Sequence, residues 1–239
     1  VDATDGFRET VVQYFLEGYA NGETPNPCLL CNRQIRWTFL LNHALALRAE
    51  YMATGHYVRR RTMDDGRSEL WRAVDHSKDQ SYVLHVLTQE KLKHALFPVG
   101  DYPKPEIRAI AERYGLPTAS RKDSQDLCFL AGEDYRNFLQ RNAPEILTPG
   151  NIETPDGKVI GQHNGLANYT IGQRKGLGVA SPVPLYVITK HASKNTLIVG
   201  TQEEMGTTEL TARDVNWVSG KVPGEPFRAE VKIRYTAKE

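Results

Sequence analysis

Residues 24–32 read TPNPCLLCN, and this stretch decides the fold because it joins two segments with helical periodicity. Each proline biases the residue before it away from helical dihedral angles, so we expect 24–27 to form an extended, stiff arm. The arm leads Cys31 into the start of a helix. A helix N-terminus lowers the pKa of a thiol and so favours a nucleophilic thiolate. Two small hydrophobic residues packed in a helical turn would have the same spacing.

The composition is that of an ordinary globular protein. The chain has 239 residues, 40% of them hydrophobic and 25% charged, which is enough for more than one domain. We find no apolar run near the roughly 18 residues that span a bilayer and no charged-then-apolar leader, and we therefore expect a cytoplasmic protein without a membrane partner. Three cysteines indicate reduced thiols rather than a disulfide framework.

Apolar periodicity predicts helices over 7–19 and 35–47, followed by a short buried strand over 51–54 that ends at Gly55. In open α/β sheets, loops at the carboxyl ends of strands bind ligands. Three arginines at 59–61 and an Asp-Asp-Gly turn at 64–66 separate this strand from 69–74, which is predicted to be its partner in a hairpin. Solvated charge is the simpler interpretation of the arginine run.

The remaining pattern changes from helical to β-rich. We expect a helix that opens at 77–82 and runs through Leu87, and a second helix with proline in its first turn, from Pro105 to Gly115. After Gly132 one more helix, over 135–141, precedes glycine-rich and β-branched sequence. Strands are predicted there at 186–189, 196–199 and 229–235.

Six ordered sequence blocks together resemble the tRNA-specific 2-thiouridylase family. They are NPCLLCN at 26–32, ATGHY at 53–57, KDQSY at 78–82, LFP at 96–98, KDS at 122–124 with Cys128-Phe129, and YTIGQR at 169–174. The resemblance implies an α/β fold in three parts. These are part of a PP-loop (adenine nucleotide alpha hydrolase-like) catalytic domain at 1–131, a β-rich central domain at 132–207 and the beginning of a C-terminal β-barrel at 208–239.

The resemblance implies an ATP-dependent sulfurtransferase, with Mg²⁺ expected, that converts the C2 carbonyl of a tRNA wobble uridine to a thiocarbonyl. This carbonyl is a poor electrophile, so ATP first adenylates its oxygen. By similarity, Cys128 carries a persulfide that attacks C2, and Cys31 then releases the base and forms a Cys31–Cys128 disulfide. A persulfide-donating relay protein or a cysteine desulfurase supplies the sulfur.

The same resemblance assigns the other contacts, several of them to an unstacked base. Gly55 lies against the nucleotide, and a loop with Gln173, Arg174 and Lys175 contacts the backbone or the anticodon loop, although surface charge explains that loop equally well. The residues placed against the target base or the tRNA are Asn26, Pro27, Cys28, His56, Lys78, Asp79, Gln80, Arg234 and Tyr235.

Two departures keep alternatives open. The family's Ser-Gly-Gly-x-Asp-Ser phosphate loop is missing, which predicts an inactive fragment without the first part of the nucleotide domain and most of the barrel. Cys28 stands where many relatives have aspartate, so Cys28, Cys31 and Cys128 are alternative ligands of a [4Fe–4S] cluster. A non-catalytic tRNA-binding module with structural or zinc-bound cysteines is a second alternative, and another ATP-dependent sulfur-inserting or amide-forming enzyme is a third.

Overall fold

The computed structural model describes residues 1–120, 127–206 and 208–231. Contacts within the chain divide it into two compact units, and each unit has its own hydrophobic core. The first unit comprises Val1–Ala3, Cys28–Asp123 and Arg213–Glu239, and the second comprises Thr4–Pro27 and Ser124–Ala212. In the described part of the chain, no helix has the length and apolar character needed to cross a bilayer.

Two long helices flank the arm, as predicted, and each contains a π-helical section. Helix α1 consists of Thr4–Phe7, the π-helical Arg8–Val12 and Gln13–Ala20. Helix α2 consists of Pro27–Leu30, the π-helical Cys31–Leu40 and Leu41–Ala46. The expectation that a helix starts at Cys31 is wrong. The helix already starts at Pro27, because proline suits the first helical position, where no N–H donor is required.

The first unit contains two small two-stranded sheets. Strands β1 (Met52–Ala53) and β4 (Ala95–Leu96) are parallel, and β2 (Val58–Thr62) pairs antiparallel with β3 (Ser68–Arg72). A hairpin is present and its second strand falls at the predicted position, but the prediction of its first strand is wrong. The partner of β3 is β2, which contains the three arginines, and the strand expected as partner, β1, pairs with β4 instead. The strand predicted as buried, β1, is only half-buried at Met52 and exposed at Ala53.

The helix predicted to open at 77–82 is wrong. The chain forms two short 3₁₀ turns instead, His76–Lys78 and Ser81–Val83. Asp75 accepts a hydrogen bond from the backbone N–H of Ser77. Aspartate and serine side chains that bond to nearby backbone in this way offer it an alternative to the helical ladder.

Helices α3 (Gln89–Lys93) and α4 (Lys104–Arg113) complete the regular structure of the first unit. The predicted proline at the start of α4 and the left-handed Gly115 after it are both observed. The core surrounds Trp37, which is fully buried and lies edge-on to Phe97 with ring centroids 5.6 Å apart. Its other buried members are Leu41, Val58, Val83, Leu84, Leu87, Leu92 and Ala95.

The second unit contains a four-stranded sheet with the spatial order β6-β5-β8-β7. The parallel pair is β5 with β8, and the other pairs are antiparallel. The strands are β5 (Gly150–Glu153), β6 (Val159–His163), β7 (Tyr186–His191) and β8 (Thr196–Gly200). The last two confirm the strands predicted at 186–189 and 196–199.

An aromatic cluster joins α1 to helix α5 (Tyr135–Asn142), which confirms the helix predicted there. Phe15 lies edge-on to Phe129 at 5.2 Å, and Tyr19 stacks on Tyr135 at 5.3 Å. Short 3₁₀ turns occupy Cys128–Leu130, Pro144–Leu147, Leu166–Asn168, Ala192–Lys194 and Glu203–Met205. The strand predicted at 229–235 falls mostly outside the described residues, and 229–231 are irregular.

Replacing Gly100 with alanine should destabilise the first unit by about 3 kcal/mol or more. A Cβ atom built on Gly100 lies 1.8 Å from the carbonyl oxygen of Val58, so the backbone would have to move. Gly224→Ala is the matched control, since a Cβ there meets no atom within 4 Å. Urea denaturation of both variants measures the difference, and equal midpoints would contradict the close approach.

Candidate functional site

The arm before α2 is anchored to α1 and to the end of β7. A Cβ on Gly18 would lie 2.8 Å from the Cβ of Pro25, so glycine is needed at this approach. Gly22 has a φ of +74° and lies against Ala192, and the backbone N–H of Glu23 donates to the carbonyl of Gly18 at 2.8 Å. These contacts hold the backbone that leads to the exposed Asn26.

The thiols differ in exposure, and none of the three forms a disulfide. Cys28 lies exposed in the first turn of α2, and Cys31, one turn later, is half-buried. Asn32 is 4% exposed, and its Nδ2 donates to the carbonyl of Cys28 at 3.0 Å. The amide of Asn32 therefore fixes the backbone between the two thiols.

Cys128 opens the 3₁₀ turn Cys128–Leu130 in the second unit, and its thiol is exposed. The next residue, Phe129, packs edge-on against Phe15 and against Phe138, with ring centroids 5.2 and 5.4 Å apart. The aromatic ring thus anchors the turn while the preceding thiol faces solvent. Cys128 is therefore accessible to another molecule.

A metal site is absent from the described ranges. In 1–120, 127–206 and 208–231, no three His, Cys, Asp or Glu side chains are grouped so that they could hold a metal ion. This search includes Cys28, Cys31 and Cys128.

His56 is a buried, neutral imidazole. It is 7% exposed, and its Nδ1 lies 2.8 Å from Oγ1 of Thr54. Burial, with a smaller contribution from the Arg36 charge, lowers its pKa from 6.5 to about 4. At neutral pH the ring can therefore donate or accept a hydrogen bond, but it has no positive charge with which to bind a phosphate.

Gly55, just before His56, has space beside its backbone. A Cβ on Gly55 would meet no atom within 4 Å, and its φ is not positive. Neither packing nor backbone conformation in the described part of the chain requires a glycine here. A ligand that approaches the backbone closely would require one.

The KDQ block makes internal contacts that sequence reasoning missed. Asp79 accepts hydrogen bonds from the Ala73 backbone N–H at 2.9 Å and from the Ser81 hydroxyl at 2.6 Å. Gln80 accepts one from the Tyr57 N–H at 2.9 Å and donates its own N–H to the Tyr57 carbonyl at 2.8 Å. Lys78, in the preceding turn, is half-buried. The block thus fixes the loop that carries His56.

The glycine-rich loop at 169–178 is also internally bonded. The Gln173 amide accepts from the N–H of Thr170 at 3.0 Å and donates to the carbonyl of Lys175 at 2.9 Å. Arg174 and Lys175 are exposed. Two further sequence-predicted contacts, Arg234 and Tyr235, lie outside the described residues, as does the KDS block at 122–124.

Family models match most of the chain and define its class. One described as a tRNA methyl transferase HUP domain matches residues 1–132, and one described as a tRNA methyl transferase PRC-barrel domain matches residues 136–201. The chain therefore combines part of a nucleotide-binding HUP domain with a PRC-barrel domain, which confirms the predicted fold class. By its first and longer match, the chain belongs to the tRNA methyl transferase HUP-domain family.

Named relatives identify the branch of this family that the chain resembles. A tRNA-specific 2-thiouridylase MnmA from Magnetococcus marinus is 46% identical over 231 residues, which cover 97% of this chain and 64% of the relative. MnmA 1 from Caldanaerobacter subterraneus is 46% identical over 240 residues, covering 100% and 66%. MnmA from Symbiobacterium thermophilum is 48% identical over 237 residues, covering 98% and 60%. The chain spans slightly under two thirds of the length of these relatives.

The buried His56 should make stability depend on pH. The pKa of His56 in the folded chain lies below its ordinary value of 6.5. As pH drops from 6.5 to about 4, the unfolded chain takes up a proton before the folded chain does, and the free energy of unfolding therefore falls. The loss is about 3 kcal/mol, from roughly 1.4 kcal/mol per pKa unit. Urea unfolding across this range should show a smaller loss in His56→Gln. An NMR titration of the His56 ring with a midpoint near its ordinary value would contradict the assignment.

Proposed function

We propose that the protein carrying this chain is an ATP-dependent sulfurtransferase that thiolates C2 of the wobble uridine in tRNA. The observation that carries the proposal is the 46 to 48% identity to tRNA-specific 2-thiouridylases across nearly the whole chain. Membership of the HUP-domain family supports nucleotide use, and the exposed Cys128 and the half-buried Cys31 would supply the sulfur chemistry. Methyl transfer, which the family description names, would leave these thiols without a role.

In the proposed reaction, ATP adenylates the C2 oxygen, and the terminal sulfur of a Cys128 persulfide attacks C2 and expels AMP. The Cys31 thiolate then attacks the bridging sulfur, and the electron pair of the broken sulfur–sulfur bond leaves with the thiolated base. The product is a Cys31–Cys128 disulfide, which takes two electrons from a dithiol reductant before the next cycle. The exposure of Cys128 supports sulfur delivery by a relay protein or a cysteine desulfurase.

The proposed substrate contacts follow from the positions of the remaining residues. Asn26, Pro27 and Cys28 lie where the arm enters α2 and would face the target base, and neutral His56 would accept or donate a hydrogen bond near the flipped uridine. Lys78 and the exposed Arg174 and Lys175 would contact tRNA phosphates, as would Arg234 and Tyr235. Asp79 and Gln80 would act mainly by holding the His56 loop in place. We expect the reaction to occur in the cytoplasm.

The mechanistic alternative is a [4Fe–4S] cluster on Cys28, Cys31 and Cys128. We favour the persulfide route, because it needs only Cys31 and Cys128 whereas the cluster needs all three thiols. A cluster would supply an iron-bound sulfide as the sulfur donor. Iron content and charge-transfer absorbance after anaerobic purification distinguish the two routes.

Replacing Cys31 or Cys128 with serine in the full-length protein should reduce thiolation by about 10³-fold or more. tRNA binding should remain, because neither change removes a cationic contact. Cys28→Ser separates the two routes, since the persulfide route needs only the other two thiols and should lose far less activity, whereas a cluster needs all three. Mass spectrometry of the tRNA nucleosides distinguishes sulfur replacement from methyl addition. Retained thiolation in Cys31→Ser and Cys128→Ser would overturn the proposal.

Replacing Gly55 with alanine should weaken ATP binding by about tenfold, while stability changes by less than about 1 kcal/mol. The new methyl group meets no protein atom, so its effect arises only from a ligand beside the backbone. Isothermal titration of the full-length protein with ATP and Mg²⁺ measures the affinity. Gly224→Ala, which is equally uncrowded, should bind ATP normally. Unchanged ATP affinity in Gly55→Ala would remove this residue from the nucleotide site.

A further inference from the structure

Lys190 connects two segments that the proposed function uses. The lysine lies on β7, and its ammonium donates hydrogen bonds to the carbonyl of Glu23 at 3.3 Å and to the carbonyl of Tyr169 at 3.0 Å. Glu23 belongs to the base-contacting arm, here residues 21–27, and Tyr169 begins the cationic loop, here residues 169–178. One ammonium thus fixes backbone from both segments, which lie in the same unit.

The backbone of β7 holds the cationic loop as well. The N–H of Gly172 donates to the carbonyl of Val187 at 2.8 Å, and the N–H of Val187 donates to the carbonyl of Gln173 at 2.9 Å. Strand β7 is an edge strand of its sheet, so these bonds occupy its outer side. The loop is therefore attached to β7 at residues 172 and 173.

The base-contacting arm packs on the same strand end. A Cβ on Gly22 would lie 3.7 Å from the Cβ of Lys190 and 3.4 Å from the Cβ of Ala192. Gly22 has a left-handed φ, so the arm reverses direction against this surface. The Lys190 hydrogen bond to Glu23 then fixes the chain three residues before Asn26.

The environment of Lys190 is unfavourable for a purely structural lysine. Burial lowers its pKa from 10.5 to about 8, which outweighs the attraction of the Glu23 carboxylate. The neighbouring Tyr169 phenol also has a raised pKa because of burial and stays uncharged. A methionine would fill the same space without desolvating a charge. The two hydrogen bonds to backbone carbonyls offset part of the cost of burying this charge.

We propose that Lys190 is a positioning residue that holds the base-contacting arm and the cationic loop on one strand, so that both engage a single RNA stem-loop as one unit. The inference rests on the proposed function, because it takes tRNA as the ligand. In this arrangement Asn26 meets the unstacked base while Arg174 meets a phosphate of the same loop. Energetic coupling between these two residues in RNA binding follows from the shared attachment.

The first test needs no RNA. In Lys190→Met, hydrogen exchange of the full-length protein should become about tenfold faster at four backbone amides, those of Gly22, Glu23, Thr170 and Gly172. Each of these amides lies in one of the two segments that Lys190 holds, and each donates a hydrogen bond that would open more often without the ammonium. Lys190→Arg, which can also donate to two carbonyls, should restore slow exchange. Lys194→Met, an exposed lysine in the adjacent turn, is the matched control and should exchange normally. Unchanged exchange in folded Lys190→Met would overturn the proposal.

The second test measures coupling in tRNA binding. In the wild-type background, Asn26→Ala and Arg174→Ala should change the dissociation constant of the full-length protein non-additively, by a coupling factor of about three- to tenfold. In the Lys190→Met background the two effects should become additive, and Lys190→Arg should restore the coupling. Coupling that persists in Lys190→Met would overturn the positioning role even if hydrogen exchange had changed.

The two tests separate this inference from the proposed function. A protein that binds tRNA with the expected coupling but does not thiolate it would reject the sulfurtransferase and support the positioning role of Lys190. A protein that thiolates tRNA normally in Lys190→Met, with unchanged binding and turnover, would support the sulfurtransferase and reject the positioning role. Pre-steady-state thiolation rates and tRNA dissociation constants supply both readouts.

Discussion

The close approach of Gly18 to Pro25 is the constraint on which the arm depends. Only a residue without a Cβ allows the proline ring to lie against α1, and this contact lets the chain reverse within a few residues of the helix end. Pro27 then starts α2, since its fixed φ suits the first helical position. Because the chain reverses here, Cys28 and Cys31 lie in the first two turns of α2. The chain passes from the second unit to the first directly after Pro27.

Burial of polar groups is the second feature that shapes the site. The His56 ring is buried and Lys190 is half-buried, and burial lowers the pKa of each. For His56 the result is a neutral donor and acceptor, and for Lys190 it is a charge held against backbone carbonyls. An apolar side chain of similar size at either position would avoid the free-energy cost of burying a polar group. Such groups belong to sites where geometry matters more than stability.

The sequence predicted the regular elements well because their signals are local. Helical periodicity located α1 and α2, and the Asp-Asp-Gly turn located β3, although its partner proved to be the arginine-rich β2 and not the apolar residues 51–54. The prediction failed at 77–82, where Asp79 bonds to the backbone of Ala73 and to Ser81. Sequence reasoning could not find Lys190 either, since its partners are carbonyls far along the chain. Long-range contacts of this kind leave no periodic signal in the sequence.

In both segments that carry thiols, a residue next to a cysteine in the sequence is held in place by its side chain. A cysteine that exchanges sulfur must be reachable, yet its backbone must be held in place for the attack to be directed. Beside Cys128, the ring of Phe129 packs into the aromatic cluster and holds the backbone. Beside Cys31, the side chain of Asn32 holds the backbone through a hydrogen bond to the carbonyl of Cys28. In each case a neighbour in the sequence is anchored, while Cys128 is exposed and Cys31 is half-buried. A cysteine that served only for packing would itself be the buried group.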